Sequence, residues 1–285
     1  TFSLRSSVLS ETNGRIFLTE KIGRIWILED GVKLDPPFLD MTATTSSISE
    51  RGFYSMVIDP DFVNNGFVYL VYPTTINLTH DVVSRFTSDG TFDSEFFIHE
   101  FEELDSGVHL GSAMELGPDG MLYITHGDSG QGDRSQDMTN TMGKVLRYNL
   151  DGTIPEDNPF YDTLEGSRRA IYSYGLRSPF SMGIEPFTGL IYFNDVGGGG
   201  WEEVNDVVSG GNYGWPFRQG TNGQDPVGVT SVLPIYQYPH SDDQPEFGCA
   251  ITAGTFYHPP NTGFPGKYYG KYFFAEYCQG WWGLL

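Results

Sequence analysis

Runs of alternating aromatic or aliphatic and polar residues recur along the chain, each launched from a turn that ends in glycine. They read NGRIFLTEKIGRIWIL (13–28), NNGFVYLVY (64–72), PDGMLYITHGD (118–128), TGLIYFNDVGG (188–198) and YYGKYFFAEYCQGWW (268–282). A period-2 run behind an Asn/Asp-Gly or Thr-Gly turn predicts a hairpin strand. The launching glycines are Gly14, Gly66, Gly120, Gly189 and Gly270, so the gaps are 52, 54, 69 and 81 residues. Units of roughly 40–50 residues with several strands each are the pattern of propeller blades. The longer gaps are expected to hold loop insertions at 151–169 and 216–246, which are rich in Pro, Gly, Asp and Ser. A β-sandwich would instead show turns every 8–12 residues or so, without this longer recurrence. The one helix-like stretch lies near 134–143. In a propeller the loops between blades converge at one end of the central channel, so residues distant in sequence share a site.

Composition agrees with this picture. With Gly 36, Pro 17 and 15% aromatic residues in 285, the chain reads as many short strands and tight turns in a single domain spanning 1–285. Its 16 Lys and Arg against 37 Asp and Glu leave a net charge of −21, which excludes nucleic acid as a partner. Cations with oxygen ligands, such as Ca²⁺, would offset part of that repulsion, although surface solvation is the plainer account of any one acidic residue. No apolar run reaches the ~18–20 residues that a membrane span needs. The chain opens on TFSLRSS without Met and reads as trimmed or cleaved. Asn77-Leu78-Thr79 is a glycosylation sequon. Cys249 and Cys278 either pair across neighbouring strands or remain two buried thiols.

The loops around the strands carry the reactive side chains: Glu50 and Arg51 in SERGFYS, His109 in GVHLGS, and His126, Asp128 and Asp133 in HGDSGQGD. Arg177 follows in YGLRSPF, then NDVGGGGWEEVN with Asp195, four consecutive glycines, Glu202 and Glu203. His109 is open to three readings, as a catalytic base, a metal ligand or a loop histidine without a role. His126, 17 residues on, is poorly placed to share a zinc ion with it. The glycine run either turns its carbonyls towards a hard cation or forms a flexible hairpin. Adjacent strand residues point to opposite faces, so one of Glu202 and Glu203 is expected to face a metal and the other solvent. Arg177 suits an anionic cofactor or a structural carboxylate. No GxGxxG, P-loop, GxSxG or HExxH is present.

Taken in order, ERGFYSMVIDPDFVNNGFVYLVY, HLGSAMELGPDGMLYITHGD, GKVLRYNLDGTIPEDNPF, IYSYGLRSPFSMGIEPFTGLIYFNDVG, WEEVNDVVSGGNYGWP and TAGTFYHPPNTGFPGKYYGKYFFAEYCQG cover most of the chain. As a set they resemble the glucose/sorbosone dehydrogenase family, the soluble pyrroloquinoline-quinone (PQQ) sugar dehydrogenases, whose relatives include the hedgehog-interacting proteins. The resemblance implies an all-β, six-bladed β-propeller, truncated at both ends in this chain. It implies a PQQ- and Ca²⁺-dependent oxidoreductase acting on the CH–OH group of aldose sugars, with an external electron acceptor, in a secreted, extracellular or periplasmic setting.

Carried over residue by residue, it makes His109 the catalytic base, Asp128 the aspartate of the family's strand-ending Gly-Asp, and Arg177 a contact of cofactor and substrate. Gly197 and Gly198 match carbonyl ligands of the active-site calcium, and Glu203 with the Tyr213 carbonyl a second, structural calcium. Cofactor contacts map onto Glu50, where the enzymes carry Gln; Ser178, where they carry Asn; His258, where they carry Lys or Arg; and Gln279, close to a usual basic residue. PQQ carries three carboxylates, so these replacements weaken its hold. Cys249 and Cys278 match a pair often bonded in the family. The alternative is a secreted, non-catalytic binding module of the hedgehog-interacting kind, with a protein partner. A carbohydrate-binding propeller would use the 17 Tyr and 5 Trp, but core packing explains those more simply.

Overall fold

A computed structural model describes residues 4–10, 15–76, 79–87, 94–241, 247–259 and 263–285. Asn77 and Leu78 of the sequon, and the first launching turn at Asn13-Gly14, lie outside the described residues. The chain divides into two compact units, 1–108 with 151–153 and 109–150 with 154–285.

The first unit holds two sheets. One runs β1 (Leu4–Ser10), β2 (Arg15–Glu20), β3 (Arg24–Glu29) and β4 (Val32–Lys33), with β5 (Leu39–Asp40) added on β3. The other runs β6 (Ser55–Ile58), β7 (Val68–Thr74), β8 (His80–Phe86) and β9 (Phe96–Glu103). Phe17, Ile25, Phe53, Val68, Leu70 and Tyr72 are among the buried residues of its core.

The second unit holds three larger sheets and one two-stranded hairpin. The first is β10 (Met114–Leu116), β11 (Leu122–His126), β12 (Lys144–Tyr148) and β13 (Ile171–Tyr174). The next contains β14 (Pro179–Ile184), β15 (Ile191–Asp195) and β16 (Trp201–Asp206); a separate hairpin of β17 (Arg218–Gln219) and β18 (Asn222–Gly223) follows, and β19 (Tyr236–Pro239) then closes the sheet on β16. The last is β20 (Ile251–Phe256), β21 (Tyr272–Glu276) and β22 (Trp282–Leu284).

Each sheet is an antiparallel meander, and the glycine-launched runs are the second strands β2, β7, β11, β15 and β21. This is the blade architecture of an all-β propeller, with five blades among the described residues. Gly66, Gly120, Gly189 and Gly270 all hold a left-handed φ of 65–77°, so the repeat is a conformational repeat and not only a sequence one.

The simple alternation is lost in several inner strands, because β7, β11 and β12 are buried at every position. Inside the second unit the reason is visible: β14 packs on β10 of one neighbouring sheet and on β20 of the other, so both faces of a blade are covered. The insertion at 216–246 is not all loop, since it contributes the β17–β18 hairpin and β19. The stretch near 134–143 forms only a 3-10 turn at Gly132–Ser135. The buried Lys144 ammonium there takes the carbonyls of Arg134 (2.7 Å), Ser135 (3.1 Å) and Met142 (2.6 Å), and the Asp137 carboxylate takes the Thr139 N–H at 2.8 Å. Groups that an α-helical ladder would use are thereby bonded elsewhere. Among the described residues no helix is long and apolar enough to cross a membrane.

Candidate functional site

Three loops of the second unit meet around His109. The histidine sits at φ 57° and Ser129 at φ 54°, left-handed conformations that histidine tolerates better than most residues. A Cβ on Gly127 would come within 2.0 Å of the His109 carbonyl oxygen, so glycine is what allows the two loops to touch. The Asp128 N–H then donates to the Arg177 carbonyl at 2.9 Å, which brings in the third loop.

His109 Nδ1 lies 2.8 Å from Asp128 Oδ1, and His109 Nε2 lies 2.7 Å from an Arg177 Nη. Arginine has donors only, so Nε2 is the acceptor and the ring proton sits on Nδ1, donated to Asp128. The lone pair of the ring is therefore on Nε2, facing the Arg177 guanidinium. Asp128 is fully buried and saturated: Oδ1 also accepts the Gly130 N–H at 2.7 Å, and Oδ2 accepts the Trp215 indole N–H at 2.7 Å. His109 keeps 21% of its side chain exposed, so its ring is accessible from solvent. Arg177 spends its other Nη on the Val196 carbonyl at 2.7 Å, and its Nε is buried without a partner beside Gly198.

A second constellation adjoins this one. Asp195 ends β15 and accepts the N–H groups of Arg177 (3.0 Å) and Ser178 (2.6 Å). The strand register sets Glu203 directly opposite Asp195. Burial pushes the Asp195 carboxyl up to about 6; burial, and then the charge of Asp195, push Glu203 up to about 8. Two facing carboxylates repel, and their site is short of a positive charge. They line a cavity of about 10 Å³ together with Gly197, Tyr213, Trp215 and Gln219. That volume holds one water-sized particle. Glu202, on the opposite face of β16, does not reach solvent as the alternation suggests. It is fully buried, accepts the N–H groups of Gly197 (3.2 Å) and Ile251 (3.0 Å), and pairs with His240 Nδ1 at 2.5 Å.

The structure thus groups His109, Asp128 and Arg177, and sets Gly197, Glu203 and Tyr213 around one cavity beside them, with Gly198 against Arg177 Nε. Ser178 adjoins Arg177 but is buried, its hydroxyl packed towards Gly111. His258 lies elsewhere. β14 starts beside Arg177 and ends at Ile184, and His258 Nε2 is 2.6 Å from an oxygen of the next residue, Glu185, at the opposite end of the blade. The rings of Phe187 and Tyr269 flank it, with centroids 5.0 and 4.4 Å away. Gln279 is exposed and donates its N–H to Glu276 at 2.5 Å, in the turn that the Cys249–Cys278 disulfide closes (Cα–Cα 5.7 Å). Glu50 belongs to the first unit, where its N–H donates to the Gly107 carbonyl at 3.1 Å. His126 is buried, with Nδ1 on the Gly127 carbonyl at 2.8 Å.

Sequence reasoning assigned no role to Trp215 or Gln219, and named Asp195 only as the head of the glycine run weighed as a cation site. For Asp195 the signal was present in the repeat, six residues after Gly189, as Glu276 stands six after Gly270. Glu276 likewise accepts two backbone N–H groups from the residues leading into the first strand of its blade, Cys249 (2.7 Å) and Ala250 (3.0 Å).

These features define an all-β propeller whose loops join a carboxylate-held histidine and an arginine to a buried aspartate facing a half-buried glutamate. Residues 6–262 match the family described as Glucose / Sorbosone dehydrogenase, and the chain belongs to that family. The aldose sugar dehydrogenase YliI of Escherichia coli is 31% identical over 174 residues, 59% of this chain and 47% of that one. The Hedgehog-interacting protein of Homo sapiens is 27% identical over 195 residues, 58% of this chain and 27% of that one. A solved glucose dehydrogenase structure superposes with a TM-score of 0.84 at 21% identity, covering 100% of this chain and 85% of that one, and shows the shared fold. The chain spans about half the length of the curated relatives it matches.

Proposed function

We propose that the protein is a PQQ- and calcium-dependent dehydrogenase that oxidises the CH–OH group of an aldose. The observation that carries this reading is His109, ring-exposed and fixed between Asp128 on Nδ1 and the Arg177 guanidinium on Nε2. A base so held takes the proton of a sugar hydroxyl at Nε2, in place of the Arg177 hydrogen bond, while Nδ1 stays on Asp128. The one-particle cavity between Asp195 and Glu203 fits a hard cation, because two enclosed carboxylates and nearby carbonyls are the donor set calcium prefers. Gly197, which the resemblance gives to the active-site calcium, and Glu203 and Tyr213, which it gives to a structural one, line this single cavity and would hold the ion there. The unpartnered Nε of Arg177 fits an acceptor oxygen of the quinone. When bound, PQQ supplies the two-electron acceptor and calcium polarises it. Arg177 orients the acceptor and the histidine together, and Trp215 and Gly130 hold Asp128 in place.

In the same reading the five blades are part of a six-bladed ring, and a separate electron acceptor reoxidises the cofactor. The disulfide suits a periplasmic or extracellular setting, where such bonds persist. A second reading, a calcium-held binding module without quinone, draws support from the charge of the site. Arg177 is the cation beside His109, whereas Asp128, Asp195 and Glu203 crowd the same region.

Mixing the protein with PQQ and Ca²⁺ tests the choice. The expected result is a shift in quinone absorbance and aldose-dependent dye reduction. Absence of both, with calcium still bound, overturns the enzyme reading in favour of the module.

A further inference from the structure

We infer that Gln219 is the positioning residue of the cation seat, acting through the glycine loop. The inference rests on the calcium reading above. Its basis is where the N–H groups of Gly197–Gly200 go. Gly197 N–H donates to Glu202 at 3.2 Å, whereas Gly198 and Gly200 both donate to the single side-chain oxygen of Gln219, at 3.3 and 3.1 Å.

A trans peptide sets the N–H of one residue antiparallel to the carbonyl of the residue before it. The Gly197 N–H on Glu202 therefore turns the Val196 carbonyl the other way, and the structure bears this out, since that carbonyl meets Arg177 at 2.7 Å. By the same geometry, Gly198 and Gly200 on Gln219 turn the carbonyls of Gly197 and Gly199 away from it. The Gly198 carbonyl belongs to the peptide between two anchored ones. Among the described residues no hydrogen bond ends on these three carbonyls, so they are left for another partner. A run of four glycines has no conformational preference able to do this alone.

The clamp is itself placed by the hairpin that carries it. Gly220, next to Gln219, donates its N–H to Glu203 at 2.5 Å, so one two-strand hairpin grips the glycine loop with one residue and a cavity carboxylate with the next. Gln219 also lines the cavity between Asp195 and Glu203. Its role is to hold carbonyl ligands in register, not to touch reacting atoms.

The test is calcium binding by isothermal titration calorimetry on the protein without quinone, together with Ca²⁺-free melting curves. Gln219→Met keeps the volume and removes the acceptor, and is expected to weaken calcium binding about ten- to a hundredfold with little change in the calcium-free melt. Gln219→Glu restores an acceptor oxygen at the same reach and is expected to bind calcium at least as tightly as wild type. Wild-type affinity in Gln219→Met, or lost affinity in Gln219→Glu, overturns the role of Gln219 and leaves the calcium reading standing. If Gln219→Met fails to fold, Gln219→Ala, which also removes the acceptor, takes its place, and wild-type calcium affinity in it overturns the role. Wild type without any calcium binding overturns the calcium reading and this inference with it.

Discussion

His109 carries its proton on Nδ1 because Arg177 offers only donors to Nε2, and Asp128 offers only acceptors to Nδ1. The tautomer is decided by neighbours, which makes Asp128 as consequential as the histidine. His109→Asn is expected to lower kcat/KM by about 10²–10⁴-fold, the usual contribution of a positioned base. Asp128→Asn replaces an acceptor shared by His109, Gly130 and Trp215, and is expected to lower kcat by about 10²-fold or more with a smaller change in KM. Steady-state kinetics of both variants on a reconstituted enzyme checks this, and an unaltered kcat in either would remove that residue from the chemistry. Neither the identity of His109 nor that of Arg177 announces the pairing. Their separation of 68 residues is bridged by loops that only the fold brings together.

At the scale of elements, the last blade is the one that carries a covalent tie. Cys249 leads into β20 and Cys278 follows β21, 29 residues apart, so the bond closes a loop that contains two of the sheet's three strands. Cross-linking a loop of that length removes denatured-state entropy worth about 3–4 kcal/mol. The expected consequence of Cys249→Ser with Cys278→Ser, or of added reductant, is a lower melting temperature, followed by calorimetry; an unchanged melt would show that packing of the aromatic core alone holds this sheet. The second strands were legible in the sequence because glycine turns and periodicity are local. β17, β18 and β19 were not, because strands of two to four residues within a Pro- and Gly-rich insertion form only against partners already in place. The helical stretch near 134–143 failed for a related reason. Lys144 is drawn inwards by the sheet it starts and takes the carbonyls with it.

For the whole molecule, the net charge of −21 turns into a pH dependence where acids are buried together. Asp195 rises from 3.8 to about 6 and Glu203 from 4.5 to about 8 on folding. Between those limits the folded chain holds more protons than the unfolded one, so stability falls as pH rises from about 4 to about 8. A cation that binds only the folded state reverses the loss by mass action. Without calcium, the melting temperature is expected to fall between pH 5 and pH 8, and added calcium is expected to raise it more at pH 8. Scanning fluorimetry at both values checks this; a melt indifferent to pH, or an equal gain from calcium at both, would show that these carboxylates do not form the cation seat.

What the sequence by itself determined is whatever depends on neighbours along the chain: the glycine-launched strands, the blade-length recurrence, the all-β class, and the family whose motifs stand in order. Those follow from local backbone preference and from the alternation of side chains across a strand. The tertiary structure decided everything that depends on register between strands and on the meeting of loops. It set Asp195 opposite Glu203, saturated Asp128 with Trp215, buried Glu202, and sent His258 to the far end of its blade against Glu185. A shift of one residue in pairing reverses the face a side chain takes, and nothing local specifies the partner strand. The chemistry of this site therefore resides in pairings that linear spacing leaves open.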